Sequence, residues 1–211
     1  MKTPASISLI CLTLLALAGC MGSNSKQAME NEEEVVEKGK QVATVGGGCF
    51  WCTEAVFELV EGVVDVVSGY AGGTTLNPTY DDICTGNTGH AEVIKITYDP
   101  AKVSYDKLLK TFGVCHDPTT LNQQGFDTGT QYRSVIMYHD DEQKASAEKW
   151  KIEIGKEFID PIVTEIVEAP VFYLAEEDHQ DFFRRYPNAG YCAFVIRPKL
   201  EKVKAAQEQE K

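Results

Sequence analysis

The sequence predicts an α+β fold for one domain that follows a short leader. Segments typical of strands and of helices occur together without strict alternation, which favours α+β over a wound α/β fold. The chain has 211 residues, of which 43% are hydrophobic and 25% charged, so it can bury one good-sized core. The net charge of −12 argues against a nucleic-acid partner, because such proteins present a basic surface.

The leader resembles an export signal. Residues 7–17 are apolar but too few to span a bilayer, and a Leu-Ala-Gly-Cys sequence follows that ends at Cys20. Small residues before a cysteine resemble the lipobox of bacterial lipoproteins, which implies removal of residues 1–19 and a lipid on Cys20. We therefore expect an extracytoplasmic, membrane-anchored lipoprotein, with the outer membrane or the periplasmic face favoured because Met21 is not an aspartate. An ordinary signal peptide or an uncleaved anchor is the alternative.

A tether is predicted between the leader and the domain. Residues 20–40 have few large apolar side chains and dense charge, which is typical of a flexible segment. The domain is predicted to span residues 41–211, and an odd number of cysteines in an exported domain suggests at least one working thiol. Its five cysteines are Cys49, Cys52, Cys84, Cys115 and Cys192.

The first predicted elements place Cys49 between a strand and a helix. Residues 41–45 are apolar and β-branched, three glycines follow, and residues 53–60 have helical spacing. Unpaired amides in the first helical turn favour a thiolate over a thiol, and the glycines let a substrate approach closely. Cys49 is therefore predicted to be a nucleophile; a structural cysteine or a metal ligand is the alternative.

The later elements are predicted from alternation and from turn and cap residues. Strands are expected at 62–70, 90–98, 132–138, 162–167 and 193–196, and an extended link at 170–173. Helices are expected at 77–84 with Asn77 as the cap, at 104–112, at 140–158, at 176–186 and at 199–211. Residues 113–131 are expected to form a long polar loop, which is usually functional in a compact domain.

Nine short motifs lie in order along the domain. They are Gly48–Trp51, Gly69–Gly73, Asn77–Tyr80, Thr88–Glu92, Tyr98–Pro100, His116–Thr119, Asp127–Ser134, Glu177–Gln180 and Tyr191–Cys192. Together they resemble the type A peptide methionine sulfoxide reductases over roughly residues 42–200. The resemblance implies a two-layer α+β sandwich with a mixed, largely antiparallel sheet of ferredoxin-like character. It also implies reduction of methionine S-sulfoxide, protein-bound or free, without a bound cofactor.

The resemblance assigns the chemical step to Cys49 and Glu92. Cys49 would attack the sulfoxide sulfur, release methionine and keep the oxygen as a sulfenic acid. Glu92 would be the acid that protonates the oxygen. It precedes an apolar strand segment, so burial would raise its pKa and keep it protonated. An exposed strand glutamate is the alternative.

The resemblance also implies which residues hold the substrate. Tyr80 and Tyr132 would donate hydrogen bonds to the sulfoxide oxygen, and Asp127 would orient the site. Phe50 and Trp51 would form the apolar pocket for the substrate's methyl group. The alternatives are tyrosines that pack at the edge of the core, a turn aspartate, and aromatic residues that pack the helix.

The recycling cysteine departs from the family pattern. Many members use a cysteine in a mobile glycine-rich C-terminal loop, whereas the residues after Cys192 are predicted to form a strand. Cys52 follows Cys49 by three residues on a helix, where neighbours are roughly 5–6 Å apart, a separation that a disulfide accepts. We expect a Cys49–Cys52 disulfide, with Cys49–Cys192 as the alternative, reduced by thioredoxin or a thioredoxin-like dithiol partner.

No metal is expected, and the histidines are predicted to hold loops through hydrogen bonds. His90, His116 and His179 could suggest a zinc site with Cys49 and Cys52, but a structural site usually has a second close-spaced pair. The competing functions are a thiol–disulfide oxidoreductase that uses the two cysteines and a metal-binding lipoprotein. We expect a monomer, with Cys84 and Cys115 as buried or bystander thiols.

Overall fold

A computed structural model describes residues 39–209 of the chain. The predicted leader with Cys20, and all but the last two residues of the predicted tether, lie outside the described residues. Within residues 39–209, no helix is both long and apolar enough to cross a membrane.

A six-stranded mixed sheet forms the centre of the domain. The strands of the chain are β1 (Gln41–Gly46), β2 (Val63–Ala71), β3 (Ala91–Tyr98), β4 (Gln123–Gln124), β5 (Asp127–Thr128), β6 (Val135–Tyr138), β7 (Glu165–Glu168) and β8 (Phe172–Leu174). The large sheet has the order β7-β6-β1-β3-β2-β8, and β4 and β5 form a separate ribbon. Within the part of the chain that the structure describes, β6 and β7 pair in parallel and the other strand pairs are antiparallel. The predicted mixed, largely antiparallel α+β fold is therefore confirmed.

Among residues 39–209, the chain forms six α-helices. They are α1 (Phe50–Phe57), α2 (Tyr80–Cys84), α3 (Tyr105–Cys115), α4 (Asp141–Ile154), α5 (Phe182–Arg185) and α6 (Arg197–Gln209). Two 3-10 turns span Thr130–Tyr132 and Glu177–His179, and a π-helical segment, Cys192–Ile196, leads directly into α6.

The main core lies between the sheet and α1. Val56 and Phe57 of α1 are fully buried in one cluster with Ile94 and Ile96 of β3. Because side chains alternate along a strand, Glu92 lies on the same face of β3 as these two isoleucines. A smaller cluster around Val93 packs on the opposite face. The sheet thus directs Glu92 towards the layer that contains α1.

The glycines before Cys49 are required by a close turn. Gly48 has a φ of +89°, a backbone conformation that side chains other than glycine rarely adopt. A Cβ atom at Gly47 would come within 2.9 Å of the Phe112 ring. The chain therefore turns from β1 into α1 against α3 without room for a side chain.

The short helix before Cys84 begins later than predicted. Thr79, not Asn77, is the N-cap of α2, and it forms a capping box with Asp82. Asn77 has a φ of +47° and precedes Pro78, a position where the helical conformation is disfavoured.

The predicted loop at 113–131 contains regular structure. Helix α3 continues to Cys115, and the loop includes the β4–β5 ribbon and the first 3-10 turn. Tyr132 belongs to that turn, so the predicted strand at 132–138 begins only at Val135. The strand predicted at 162–167 likewise begins at Glu165, and the second half of the extended link expected at 170–173 belongs to β8.

The C-terminal region differs most from the prediction. The predicted strand at 193–196 is wrong, because this segment is helical and continues into α6. Its buried side chains are Cys192, Ile196, Leu200 and Val203, which follow helical spacing, while Phe194 is 84% exposed. A short apolar run does not distinguish strand from helix by its pattern alone. The helix predicted at 176–186 is also interrupted, since Asp181 is left-handed with a φ of +53°.

Candidate active site

Two cysteines lie together at the start of α1. Cys49 is the N-cap residue, and its carbonyl oxygen accepts a hydrogen bond of 3.0 Å from the amide of Cys52. The side chains are 7% and 1% exposed, and each thiol shifts the pKa of the other. The predicted junction of strand, glycine turn and helix is therefore confirmed, and it pairs the two thiols.

Burial sets the protonation of this pair. It raises the pKa of Cys49 well above the ordinary value, and the hydrogen bond with Cys52 acts in the same direction. The hydrogen bond from Cys49 lowers the pKa of Cys52 to about 7. The pair thus loses its first proton easily and keeps the second, as expected when two sulfurs share one proton. The sequence analysis expected the helix N-terminus to favour a thiolate at Cys49, whereas burial favours the thiol there.

The Glu92 side chain is buried at the start of α1, close to the two cysteines. Its carboxylate oxygen Oε2 accepts a hydrogen bond of 3.0 Å from the backbone amide of Phe50, the first amide of α1. The side chain is 2% exposed, and burial raises the pKa of Glu92 to about 8, against the opposing effect of that hydrogen bond. Glu92 therefore carries a proton at neutral pH beside Cys49, as an acid must. The alternative of an exposed strand glutamate is wrong.

Tyr80 and Tyr132 lie around the same carboxyl group. Both rings are half-buried, and burial is the main cause that raises the pKa of each phenol; an ionised Glu92 would raise both further. Both hydroxyl groups therefore stay protonated at neutral pH and can donate hydrogen bonds. The exposed thiol of Cys84 lies beside the Tyr80 hydroxyl, so this cysteine is at the rim of the site.

Asp127 reaches the cysteine pair through a residue that the sequence analysis did not assign. The Tyr191 hydroxyl donates a hydrogen bond of 2.8 Å to Asp127 Oδ2. The Tyr191 hydroxyl oxygen is also 3.6 Å from the Cys52 sulfur. Tyr191 lies directly before the π-helical segment, 139 residues after Cys52 along the chain. The motif Tyr191–Cys192 was the available signal, but only its cysteine suggested chemistry.

Aromatic rings form an apolar wall next to the pair. Phe50 is 1% exposed and packs 5.7 Å from the Tyr70 ring, so it is a core residue as well as a neighbour of the site. Trp51 is half-buried and stacks on Phe182, with ring centroids 3.7 Å apart and planes 7° apart. His179 lies 5.6 Å from the Trp51 ring and 4.2 Å from the Tyr80 ring. The sequence did not point to His179 or Phe182 as part of this wall.

Two of the other three histidines, His90 and His116, hold nearby backbone through hydrogen bonds. His90 accepts a hydrogen bond of 3.0 Å from the Gly73 amide, and its Nε2 contacts the Thr75 carbonyl at 2.8 Å. His116 contacts the Phe112 carbonyl through Nδ1 at 2.6 Å. Among residues 39–209, no group of three or more histidine, cysteine and acidic side chains converges in a way that could hold a metal ion.

Cys192 and Cys115 are both buried away from solvent. Cys192 is fully buried in the main core, at the start of the C-terminal helical segment. Cys115 is also buried, and its thiol donates a hydrogen bond of 3.3 Å to the Phe112 carbonyl. Cys49, Cys52, Cys84, Cys115 and Cys192 are all free thiols in the structure.

Comparison with known proteins identifies the family. A family model described as peptide methionine sulfoxide reductase matches residues 41–211. Peptide methionine sulfoxide reductase MsrA 1 of Rhodopirellula baltica is 56% identical over 82% of this chain and 93% of its own length. The MsrA of Leptospira borgpetersenii is 54% identical over 76% of this chain and 91% of its own.

Solved structures agree with the sequence comparison. Methionine sulfoxide reductase A of Corynebacterium diphtheriae has a TM-score of 0.68 at 37% identity, covering 75% of this chain and 80% of that one. Mxr1 of Saccharomyces cerevisiae in its reduced form has a TM-score of 0.69 at 35% identity, covering 72% and 89%. A buried thiol pair, a protonated glutamate and two phenols at one helix start thus occur on a fold shared with these reductases. The chain belongs to the peptide methionine sulfoxide reductase family of oxidoreductases.

Proposed function

We propose that this protein reduces the S epimer of methionine sulfoxide, protein-bound or free, through a sulfenic acid on Cys49. One observation carries the proposal: Glu92, whose pKa is raised by burial, accepts a hydrogen bond from the amide of Phe50, the residue next to Cys49. An exposed glutamate would be ionised at neutral pH and could not supply this proton. An acid that delivers a proton to a departing oxygen requires this placement.

In the first step, the Cys49 sulfur attacks the sulfoxide sulfur. Cys52 is close enough to take the Cys49 proton as attack begins. Glu92 supplies a proton to the sulfoxide oxygen, while Tyr80 and Tyr132 stabilise that oxygen by donating hydrogen bonds. The S–O bond of the substrate is replaced by an S–O bond on the enzyme. Methionine leaves, and Cys49 is oxidised by two electrons to a sulfenic acid.

In the second step, the Cys52 thiol attacks the sulfenic acid and water leaves. The product is a Cys49–Cys52 disulfide, which a thioredoxin-like dithiol protein reduces by exchange as its own dithiol is oxidised. Cys52 is favoured because its backbone amide donates a hydrogen bond to the Cys49 carbonyl and its thiol interacts with that of Cys49, whereas Cys192 lies in a separate helical segment. No bound cofactor takes part in either step.

We place this activity outside the cytoplasm. The proposal rests on the residues Leu17-Ala18-Gly19-Cys20, which resemble a lipobox. Cleavage before Cys20 would leave this cysteine as the lipidated first residue. Oxidised proteins in the same compartment would be the clients. The reductant would then be a thioredoxin-like protein that also works in that compartment.

The two epimers of methionine sulfoxide provide the test. Wild-type protein and Cys49→Ser are each incubated with one epimer and dithiothreitol, and methionine is measured. We expect the wild type to reduce the S epimer only and the variant to be inactive. Failure of the wild type to reduce the S epimer would overturn the proposed substrate. An equal rate in Cys49→Ser would overturn the role of Cys49.

One observation favours a second function. Cys49 and Cys52 form a C-x-x-C pair at a helix start, and the lowered pKa of Cys52, about 7, is typical of thiol–disulfide oxidoreductases. Such an enzyme would not need Glu92. Two results together would favour this second function. Glu92→Gln would reduce insulin disulfides at the wild-type rate, and the wild type would reduce no methionine sulfoxide.

A further inference from the structure

Residues 176–182, which we call the strap, are tied to β2 by side chains. The Glu176 carboxylate accepts hydrogen bonds of 2.9 Å from the Tyr70 hydroxyl and 2.7 Å from the Tyr80 amide. The Gln180 side chain accepts a hydrogen bond of 2.9 Å from the Ser68 amide and donates one of 3.0 Å to the Ser68 carbonyl. The strap therefore has a defined position relative to the sheet.

The strap carries two rings to the helix that bears the cysteines. His179 contacts the Tyr80 ring at 4.2 Å between centroids, and Phe182 lies flat against Trp51 at 3.7 Å. Phe182 is thus the ring that covers one face of Trp51. The position of the strap decides the shape of the apolar wall beside Cys49.

Glu54 of α1 fixes the last residue of the strap. Its oxygen Oε2 accepts a hydrogen bond of 3.2 Å from the Phe182 amide, and Oε1 accepts one of 3.1 Å from the Ser68 hydroxyl. The side chain is 1% exposed, so it meets protein and not water. The preceding residue, Asp181, is left-handed with a φ of +53°, a conformation that needs support from its surroundings.

We propose that Glu54 is a positioning residue for substrate binding, because it holds the Phe182 ring against Trp51 and so shapes the pocket for the thioether methyl group. The inference rests on the proposed reduction of methionine sulfoxide. Glu54 does not touch the reacting atoms; it acts through the backbone of the strap. Burial raises the pKa of Glu54 to about 7, against hydrogen bonds from the backbone of Asp181, the Ser68 hydroxyl and the Phe182 amide.

Two substitutions separate positioning from simple packing. In Glu54→Gln, the amide oxygen can still accept from the Phe182 amide, while the Ser68 hydroxyl can rotate to accept from the new NH₂ group. In Glu54→Leu, the Phe182 amide loses its acceptor. Glu58→Gln is the matched control. Glu58 forms an ion pair of 3.0 Å with Arg184 of α5, whereas the Phe182 amide donates its hydrogen bond to Glu54.

The test measures KM and kcat for a peptide that contains methionine S-sulfoxide. We expect Glu54→Leu to raise KM about tenfold and to leave kcat within about threefold, since the wall binds substrate and does not react. Glu54→Gln and Glu58→Gln should keep the wild-type KM. Acrylamide should quench tryptophan fluorescence more strongly in Glu54→Leu, because Trp51 loses its cover.

Several results would overturn the proposal. A folded Glu54→Leu protein with an unchanged KM would do so, and so would an equal rise in KM in Glu54→Gln. If Glu54→Leu does not fold, Phe182→Ala decides, because it removes the ring and leaves Glu54 in place; an unchanged KM then contradicts the inference. Failure of the proposed function is a separate outcome, since the wild type itself would then reduce no sulfoxide.

Discussion

At the scale of single residues, burial gives ordinary side chains the protonation that the reaction needs. Glu92 is 2% exposed and Cys49 is 7% exposed, and burial raises the pKa of both groups. Glu92 is therefore ready to give a proton at neutral pH. Cys49 keeps its own proton until attack, with Cys52 beside it to receive that proton.

The pH dependence of the first step should report Glu92. Its pKa of about 8 means that the acid form is present at neutral pH and is lost as the pH rises through that value. Glu92→Gln should slow sulfenic acid formation by about 100-fold or more, as expected for loss of a general acid. It should also remove the fall in rate at high pH. Rapid-mixing kinetics between pH 6 and about 9 measure both effects.

Thermal unfolding provides the control for that variant. A carboxyl whose pKa is raised in the folded state stabilises the fold less as the pH rises through the folded pKa. Glu92→Gln cannot ionise, so it avoids this loss of stability at high pH, and its amide oxygen still accepts from the Phe50 amide. Its melting temperature at pH 8 should therefore be no lower than that of the wild type. Wild-type rate and pH profile in a folded Glu92→Gln would rule out the acid role.

The sequence points to the residues that we propose to carry the chemistry but not to those that we propose to position them. Cys49, Glu92 and Asp127 occur in short motifs whose residue types already suggest their chemistry. Tyr191 and Phe182 reach the site only through the tertiary fold, from more than 120 residues away along the chain. Their local sequence is that of an ordinary helix start, so no periodic pattern marks them.

At the scale of elements, the start of α1 and the C-terminal helix together define the thiol site. Helix α1 begins at a turn where Gly47 and Gly48 leave no room for side chains. Tyr191, at the start of the C-terminal helical region, brings its hydroxyl to Cys52 and Asp127. The site is therefore closed by an element that the sequence predicted as a strand.

The element predictions failed where tertiary contacts override local preference. Strands β1, β2 and β3 were predicted within about two residues, because alternation and flanking glycines mark them clearly. Residues 193–196 are apolar in sequence, yet they form a helix because Ile196 and Leu200 pack in the core. The helix predicted at 176–186 breaks at Asp181, where Glu54 holds the next amide.

The helical state of Cys192 leads to a prediction about the disulfide. A Cys49–Cys192 bond would require part of this helix to open, whereas Cys52 already contacts Cys49. After one turnover without reductant, peptide mapping should therefore show a Cys49–Cys52 disulfide. Cys192→Ser should leave this product unchanged. A Cys49–Cys192 crosslink that persists in Cys52→Ser and forms at the wild-type rate would contradict the choice of Cys52.

At the scale of the whole molecule, one catalytic domain follows a predicted lipid anchor. The net charge of −12 belongs to the full chain, part of it in the acidic stretch Glu32-Glu33-Glu34 of the predicted tether. Charge of this kind favours solubility and not a particular substrate. The anchor would restrict the enzyme to oxidised proteins near the membrane.

Lipid labelling in bacterial cells tests the anchor. We expect the wild-type chain to incorporate labelled fatty acid and to sediment with membranes. Cys20→Ala should lose both properties, because it removes the thiol that the lipobox presents. Cys11→Ala is the control, since Cys11 lies within the segment expected to be cleaved. Membrane association and labelling that Cys20→Ala leaves intact would rule out a lipid at Cys20.

The central claim is that Cys49 takes the sulfoxide oxygen, and a single turnover tests it most directly. The Cys52→Ser, Cys192→Ser double variant cannot form either proposed disulfide, so the sulfenic acid should persist. Incubation with methionine S-sulfoxide and dimedone, which alkylates sulfenic acids, should yield about one methionine and one labelled Cys49 per protein. Methionine formed in that amount with no label on Cys49, measured by mass spectrometry, would contradict the account.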